Sequence, residues 1–301
     1  MRDVSVLVLV LAVAAAFCLG TGFVFQQNAA QHAPPGDFLS PRILLVLVRK
    51  PRWLAGIGLM VAGMVLSALA LGDGEISLVE PFLATNLLFA MGLSRWQTGQ
   101  PLGRQGWSGL VLLTGGVAAF VLAGRPRGGD AITDPLRRWL IIGLMLGIAF
   151  LLAAYARRSR LTAAPALLAT GAGLLYGVQD ALTRVSGEVF GEGGIRALVL
   201  TWEPYVVVAL GVSGLVLVQS AFEAGPLRTS LPALSATQPL AGIVCGVGFL
   251  GDRLRMDAGA LAGEAAGLAA IVAGIVLLGR HPAMPSGKAE PPRPEKDLQP
   301  G

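Results

Sequence analysis

The chain has 301 residues, 54% of them hydrophobic and only 14% charged, where a soluble domain carries about 25% charged residues. One core cannot absorb that much apolar sequence with so few charges, so lipid is the expected solvent for most of it. The net charge of +5 comes from short basic clusters between apolar runs, without interleaved aromatics, which argues against a nucleic-acid surface and for membrane topology.

Nine apolar segments follow one another, at about 4–27, 53–71, 76–93, 107–123, 137–155, 161–182, 199–219, 227–250 and 258–278. Each has roughly the 17–25 residues a helix needs to cross a bilayer, and open strands cannot cross one. The first begins MRDVSVLVLVLAVAAAF, with the charged start and apolar run of a signal peptide. Phe17 is too bulky to precede a lipoprotein Cys18, and the run continues through Gly20 and Phe25. It is therefore read as an uncleaved span that ends on Gln26, Gln27 and Asn28. FLSPRILLVLVRKP (38–51) is shorter and broken by Arg42. It is expected as an interfacial or half-length segment, with a tenth span as the alternative.

The remaining spans carry a few polar residues each. SLVEPF (77–82) sets Glu80 and Pro81 at the start of the third, which also holds Asn86. Gln179 and Asp180 close the sixth, and Trp202 and Glu203 open the seventh. SATQPL (235–240) puts Gln238 and Pro239 in the eighth, and Glu264 lies in the ninth within Gly259-xxx-Gly263-xxx-Gly267, a small-residue face that lets helices approach closely. Beyond Pro282 the chain is rich in Pro, Lys and Glu, a composition expected to stay disordered. With nine spans, 14 Lys and Arg fall on the side of the C-terminus and 9 on the other, which predicts a cytosolic C-terminus. The basic loop Arg125 to Arg138 runs against that bias.

A shift of 158 residues without gaps superposes Ser77 on Ser235, Pro81 on Pro239, Arg95 on Arg253, Gly109 on Gly267, Leu110 on Leu268 and Gly116 on Gly274. GTGFVFQQNA (20–29) is echoed by GAGLLYGVQDA (171–181). Spans one to four and six to nine then form two units. The span at 137–155 links them, giving regions 1–123, 124–160 and 161–280 and a tail 281–301. Each helix is five spans from its equivalent, an odd number, so the second unit is inverted across the membrane, as in many secondary transporters.

These features resemble the drug/metabolite transporter superfamily, EamA-type, over the chain to about residue 280. The likeness rests on Leu78-Val79-Glu80-Pro81 and Gln238-Pro239-Leu240 opening helices, on Ser94-Arg95 and Gly251-Asp252-Arg253-Leu254 as polar turns, and on glycine-rich helices from Gly109 to Val117 and Gly267 to Ile275. Leu93-Ser94-Arg95 departs from the usual Gly-Glu-Arg. The resemblance implies ten helices, alternating access, and first and sixth helices that face each other. The degraded segment before Trp53, with Leu78-Val79-Glu80-Pro81, is similar to the NIPA-type magnesium transporter branch.

A carboxylate inside a span costs roughly 2.5–3.5 kcal/mol at its centre. Asp180 is the first candidate for proton or cation coupling, with Gln179 beside it and Gln26, Gln27 and Asn28 at the other end of the same path. Glu80 with Pro81 reads either as a kinked helix lining a polar cavity or as an interfacial acid favoured by the helix dipole. Gln238 and Pro239 take the equivalent place in the second unit. Glu203 beside Trp202 reads as an interfacial anchor or, with Glu80 and Asp180, as part of a vestibule for a divalent cation, which needs one or two carboxylates plus water. Glu264 either faces the bundle or marks a later start of its span, and Asn86 is expected to pack across helices. Cys18, Cys245, His32 and His281 form no metal-ligand or nucleophile–base spacing, so neither an enzyme nor a cofactor is expected. The expected partners are the bilayer, a small-molecule or ion substrate and, through the glycine face, a second copy of the chain. A scaffold without transport is the remaining alternative.

Overall fold

The computed structural model describes residues 6–31, 42–73, 82–83, 85–98, 103–124, 135–158, 163–252 and 257–279. Glu80, Pro81, Arg253 and the tail 281–301 lie outside the described residues. Among the described residues every regular element is a helix, and six of the helices are long and apolar enough to cross a membrane. This is the architecture of an α-helical membrane protein. In lipid each backbone N–H and C=O must be satisfied within its own helix.

In chain order the helices are α1 (Val6–Ala30), α2 (Arg42–Leu47), α3 (Pro51–Asp73), α4 (Asn86–Thr98), α5 (Gly103–Gly124), α6 (Pro135–Arg158), α7 (Ala164–Leu200), α8 (Glu203–Ala224), α9 (Leu227–Phe249) and α10 (Ala258–Gly279). The six long apolar ones are α1, α5, α6, α8, α9 and α10. The described part of the 38–51 segment is α2, too short to cross at about 1.5 Å per residue. Its Ile43 and Leu47 are buried against Ala29 and Trp53. Lys50 then folds back and donates to the Ala29 carbonyl at 3.1 Å, satisfying one of the carbonyls that the end of α1 leaves open.

Local sequence sets most helix ends. Prolines stand in the first turns of α7 and α8, where a missing N–H costs nothing, and Glu203 in the first turn of α8 suits the positive end of the helix dipole. Asp257 caps α10 by accepting the Ala260 N–H at 3.0 Å. After α9, Gly251 takes φ 75° and lets the Asp252 N–H return to the Gly246 carbonyl at 3.0 Å. The turn at Gly251-Asp252 is thus a left-handed C-terminal cap.

Two expectations change. The sixth span was expected to end near 182, yet α7 runs to Leu200 and breaks only at Gly194, where φ is 64°, a conformation that glycine alone takes without strain. The polar stretch after Leu182 thus continues the helix. Gln238-Pro239 was expected to open a helix, yet Pro239 lies in the middle of α9, which begins at Leu227 and also contains Pro232. Pro239 has no N–H to give the Ser235 carbonyl, and its ring crowds that carbonyl. The helix tolerates it because packed neighbours hold both halves.

Packing divides the helices into two similar groups. In the first, α1 runs antiparallel to α3, with Gly22 against Gly56 and Met60 and Gly63 against Ala15 and Leu19. α1 also lies parallel to α4, with Gly20 against Asn86 to Ala90 and Asn28 against Gln97. In the second, α7 runs antiparallel to α8, with Tyr176 at Gly214 and Pro165 at Gly225. It lies parallel to α9, with Gly173 against Leu234 to Gln238 and Gly177 against Gln238 to Gly242. α6 packs on α7 and α9. The linking helix therefore sits with the second group rather than midway. α5 and α10 pair with each other, antiparallel: a Cβ on Gly116 would meet the Gly267 carbonyl at 2.8 Å, and one on Gly274 would meet the Gly109 carbonyl at 2.7 Å. On the glycine face of α10, Gly263 lies against Ala123 and Gly267 against Gly116 and Phe120 of α5.

Candidate functional site

The polar residues of the helices gather at two levels of the bundle. At the first, Gln238 on α9 donates to Asp180 on α7 at 2.9 Å, one residue before the proline in the middle of α9. Asp180 is exposed. The ring of Tyr176 and the thiol of Cys245 lie within electrostatic reach of it. One turn beyond, Arg184 donates to both Asp252 oxygens at 2.8 and 2.9 Å and lies 3.6 Å from Glu188. That arginine is therefore engaged, and Asp180 takes its hydrogen bond from a neutral amide. Gln179 points the other way, against Gly211 of α8, with its Oε1 buried and without a hydrogen-bond partner.

Glu203 was read either as an interfacial anchor or, with Glu80 and Asp180, as part of a cation vestibule. It is instead 6% exposed and paired with Arg138 at the start of α6, 2.9 Å away. The Arg138 guanidinium lies 4.7 Å from the Trp202 ring centre and 5.9 Å from that of Phe249, and Trp139 stacks on Trp202 at 4.8 Å. The starts of α6 and α8 and the end of α9 are joined there. The carboxylate, almost wholly buried, is drawn to the guanidinium, and the aromatic faces add cation–π attraction. Among the described residues no group of three or more His, Cys, Asp or Glu side chains converges on a metal site.

The second level lies towards the other end of α8. Gln219, fully buried, donates to Gln26 on α1 at 2.6 Å, and Gln26 in turn donates to the Met60 sulfur on α3. Phe23 and Phe222 meet edge to face beside them at 6.4 Å. Gln27 is buried next to Gln26, whereas Asn28 turns to Gln97 of α4 at 2.7 Å. The structure thus connects Gln26 to a residue outside the sequence-derived set. Gln219 stood in plain view as the lone amide in the run LVLVQSAF (215–222). Arg138 was visible too, but only as a topology charge.

The other candidates lie apart. Asn86 starts α4, its backbone against Gly20 and its Oδ1 buried without a partner, so its place is a helix contact. Glu264 lies two turns into α10 and is half-buried, its Oε1 without a partner. The first and sixth expected spans, α1 and α7, do not form the main junction between the groups. α1 packs chiefly on α3 and α4 and reaches the second group through α8.

The chain is 28% identical over 288 residues to an uncharacterized protein of Corynebacterium glutamicum, an alignment that covers 94% of this chain and 98% of that protein. No protein-family profile matches the chain, and no solved structure matches it.

Proposed function

We propose that the protein is a secondary transporter of small molecules or metabolites that works by alternating access in the cell membrane. It has nine spans in two inverted four-helix units and a cytosolic C-terminus, and it acts as an exporter. The observation that carries this reading is the contact between α5 and α10. The 158-residue shift equates Gly109 with Gly267 and Gly116 with Gly274. The contacts are Gly109 with Gly274 and Gly116 with Gly267, so exchanging the two units turns one contact into the other. An antiparallel pair with that property has a two-fold axis perpendicular to the helices, which for membrane spans means in the membrane plane. Inverted repeats about such an axis build transporters whose sites lie at the junction of the repeats. The matching triplets, α1 with α3 and α4 and α7 with α8 and α9, agree with it.

The residue proposed to couple transport is Asp180, an exposed carboxylate hydrogen-bonded to Gln238 beside a helix-internal proline. In proteoliposomes Asp180→Asn is expected to cut flux at least tenfold with normal expression and folding, since the amide keeps the shape but loses the charge. Wild-type flux in that variant would remove the coupling role. Parallel arms with Mg²⁺, dyes and amino acids separate the magnesium reading from metabolite export, and flux of none of them would favour a scaffold.

A further inference from the structure

We propose that Gln26 and Gln219 form a gate: their contact closes the pathway between the two helix groups at one end, while Asp180 stands exposed at the other. This rests on the transporter reading and names the element that moves. Residue pairs along the antiparallel α7 and α8 set the levels. Gln179 lies at Gly211, Tyr176 at Gly214 and Gly171 at Leu217. The same register sets Asp180 opposite Leu210, so Gln219 is about nine residues, or roughly 13–14 Å along the axis, from the level of Asp180. The upper level is accessible and the lower one is sealed, with Gln219 at 0% and Gln26 at 1% exposure.

The chemistry of the seal suits a contact that opens. α1 belongs to the first group and α8 to the second, so a rocking motion of one group against the other must part them. Two leucines there would stay dry, and separating them in the presence of water would be opposed by the hydrophobic effect. Two amides exchange their mutual hydrogen bond for bonds to water at little net change. The closed seam is also incompletely satisfied. Gln219 Oε1 is buried without a hydrogen-bond partner. Hydration on opening would satisfy it, which narrows the gap between closed and open. Phe23 and Phe222 supply the apolar part of the seal, and Met60 holds the Gln26 amide in orientation.

The test uses the full chain in proteoliposomes with Cys18→Ser and Cys245→Ala. A single Gln219→Cys is exposed to a charged methanethiosulfonate and compared with Asp180→Cys. The expected result is slow but complete labelling at 219, at least tenfold slower than at 180. No labelling at 219 over the same period, or equal rates at the two positions, would overturn the gate. The second arm joins Gln26→Cys to Gln219→Cys with a short reducible bis-thiosulfonate. Flux is expected to fall at least tenfold and to return on reduction. Unchanged flux in fully cross-linked protein also overturns the proposal. Slow labelling at 219 in a protein that moves none of the offered substrates would instead count against the transporter reading and leave the opening of the seam standing.

Discussion

Replacing Arg138 with methionine is expected to lower the stability of the protein by about 3 kcal/mol, the lower end of what breaking a buried ion pair costs. The lower end applies because the Arg138 side chain keeps 24% of its exposure while Glu203 keeps 9%. Methionine fills the space between Trp202 and Phe249, so the loss comes from stranding the Glu203 carboxylate and from the lost cation–π contact. The double variant Arg138→Met with Glu203→Leu removes both charges and is expected to recover most of the loss, because a buried pair replaced by apolar groups is often neutral. Thermal unfolding in detergent, followed by size-exclusion recovery, measures both. Equal Tm values for the single variant and the wild type would mean that the pair holds nothing. A double variant no better than the single one would place the effect in the packing of Arg138 rather than in its charge.

The second large effect is expected at adjacent glycines. A Cβ on Gly116 would lie 2.8 Å from both the Gly267 carbonyl and the Ile271 nitrogen, and one on Gly267 would lie 2.7 Å from the Phe120 nitrogen. These are backbone atoms, which cannot rotate away. Gly116→Ala and Gly267→Ala therefore force α5 and α10 apart, at a cost of about 1–3 kcal/mol each. Gly115 has nothing within 4 Å of the same position, so Gly115→Ala meets open space and gains about 1 kcal/mol of helix propensity. One methyl group moved by one residue should thus change the sign of the effect. The same unfolding measurement decides it, and similar behaviour of Gly115→Ala and Gly116→Ala would deny the close α5–α10 contact.

These expectations show how the sequence and the structure divide the work. The helical class and the position of most segments were legible because lipid leaves a chain few choices: a run of apolar residues with one or two charges has to satisfy its own backbone, and the helix is how it does so. The glycines at 109, 116, 267 and 274 were legible as a repeat, since a shift of the sequence superposes them. That Gly109 meets Gly274 and Gly116 meets Gly267 was not, because register between helices depends on side chains from both. A glycine pattern also does not say whether its partner is another helix of the same chain or a second copy.

The candidate site divides in the same way. Asp180, Gln26 and Gln238 stood out in the sequence because polar atoms are costly in lipid and are kept for a reason. Their partners did not. Gln219 lies 193 residues from Gln26, and Arg138 lies 65 residues from Glu203. No periodicity links residues so far apart. Glu203 reads as an interfacial acid until the fold brings an arginine to it, and Pro239 reads as a helix start until α9 is seen on both sides of it. By itself the sequence determined where the chain must be helical and which few polar residues the membrane would have to accommodate. Only the tertiary structure decided which of those residues pair, because pairing is settled by helix packing across long sequence separations, where local propensity has no influence.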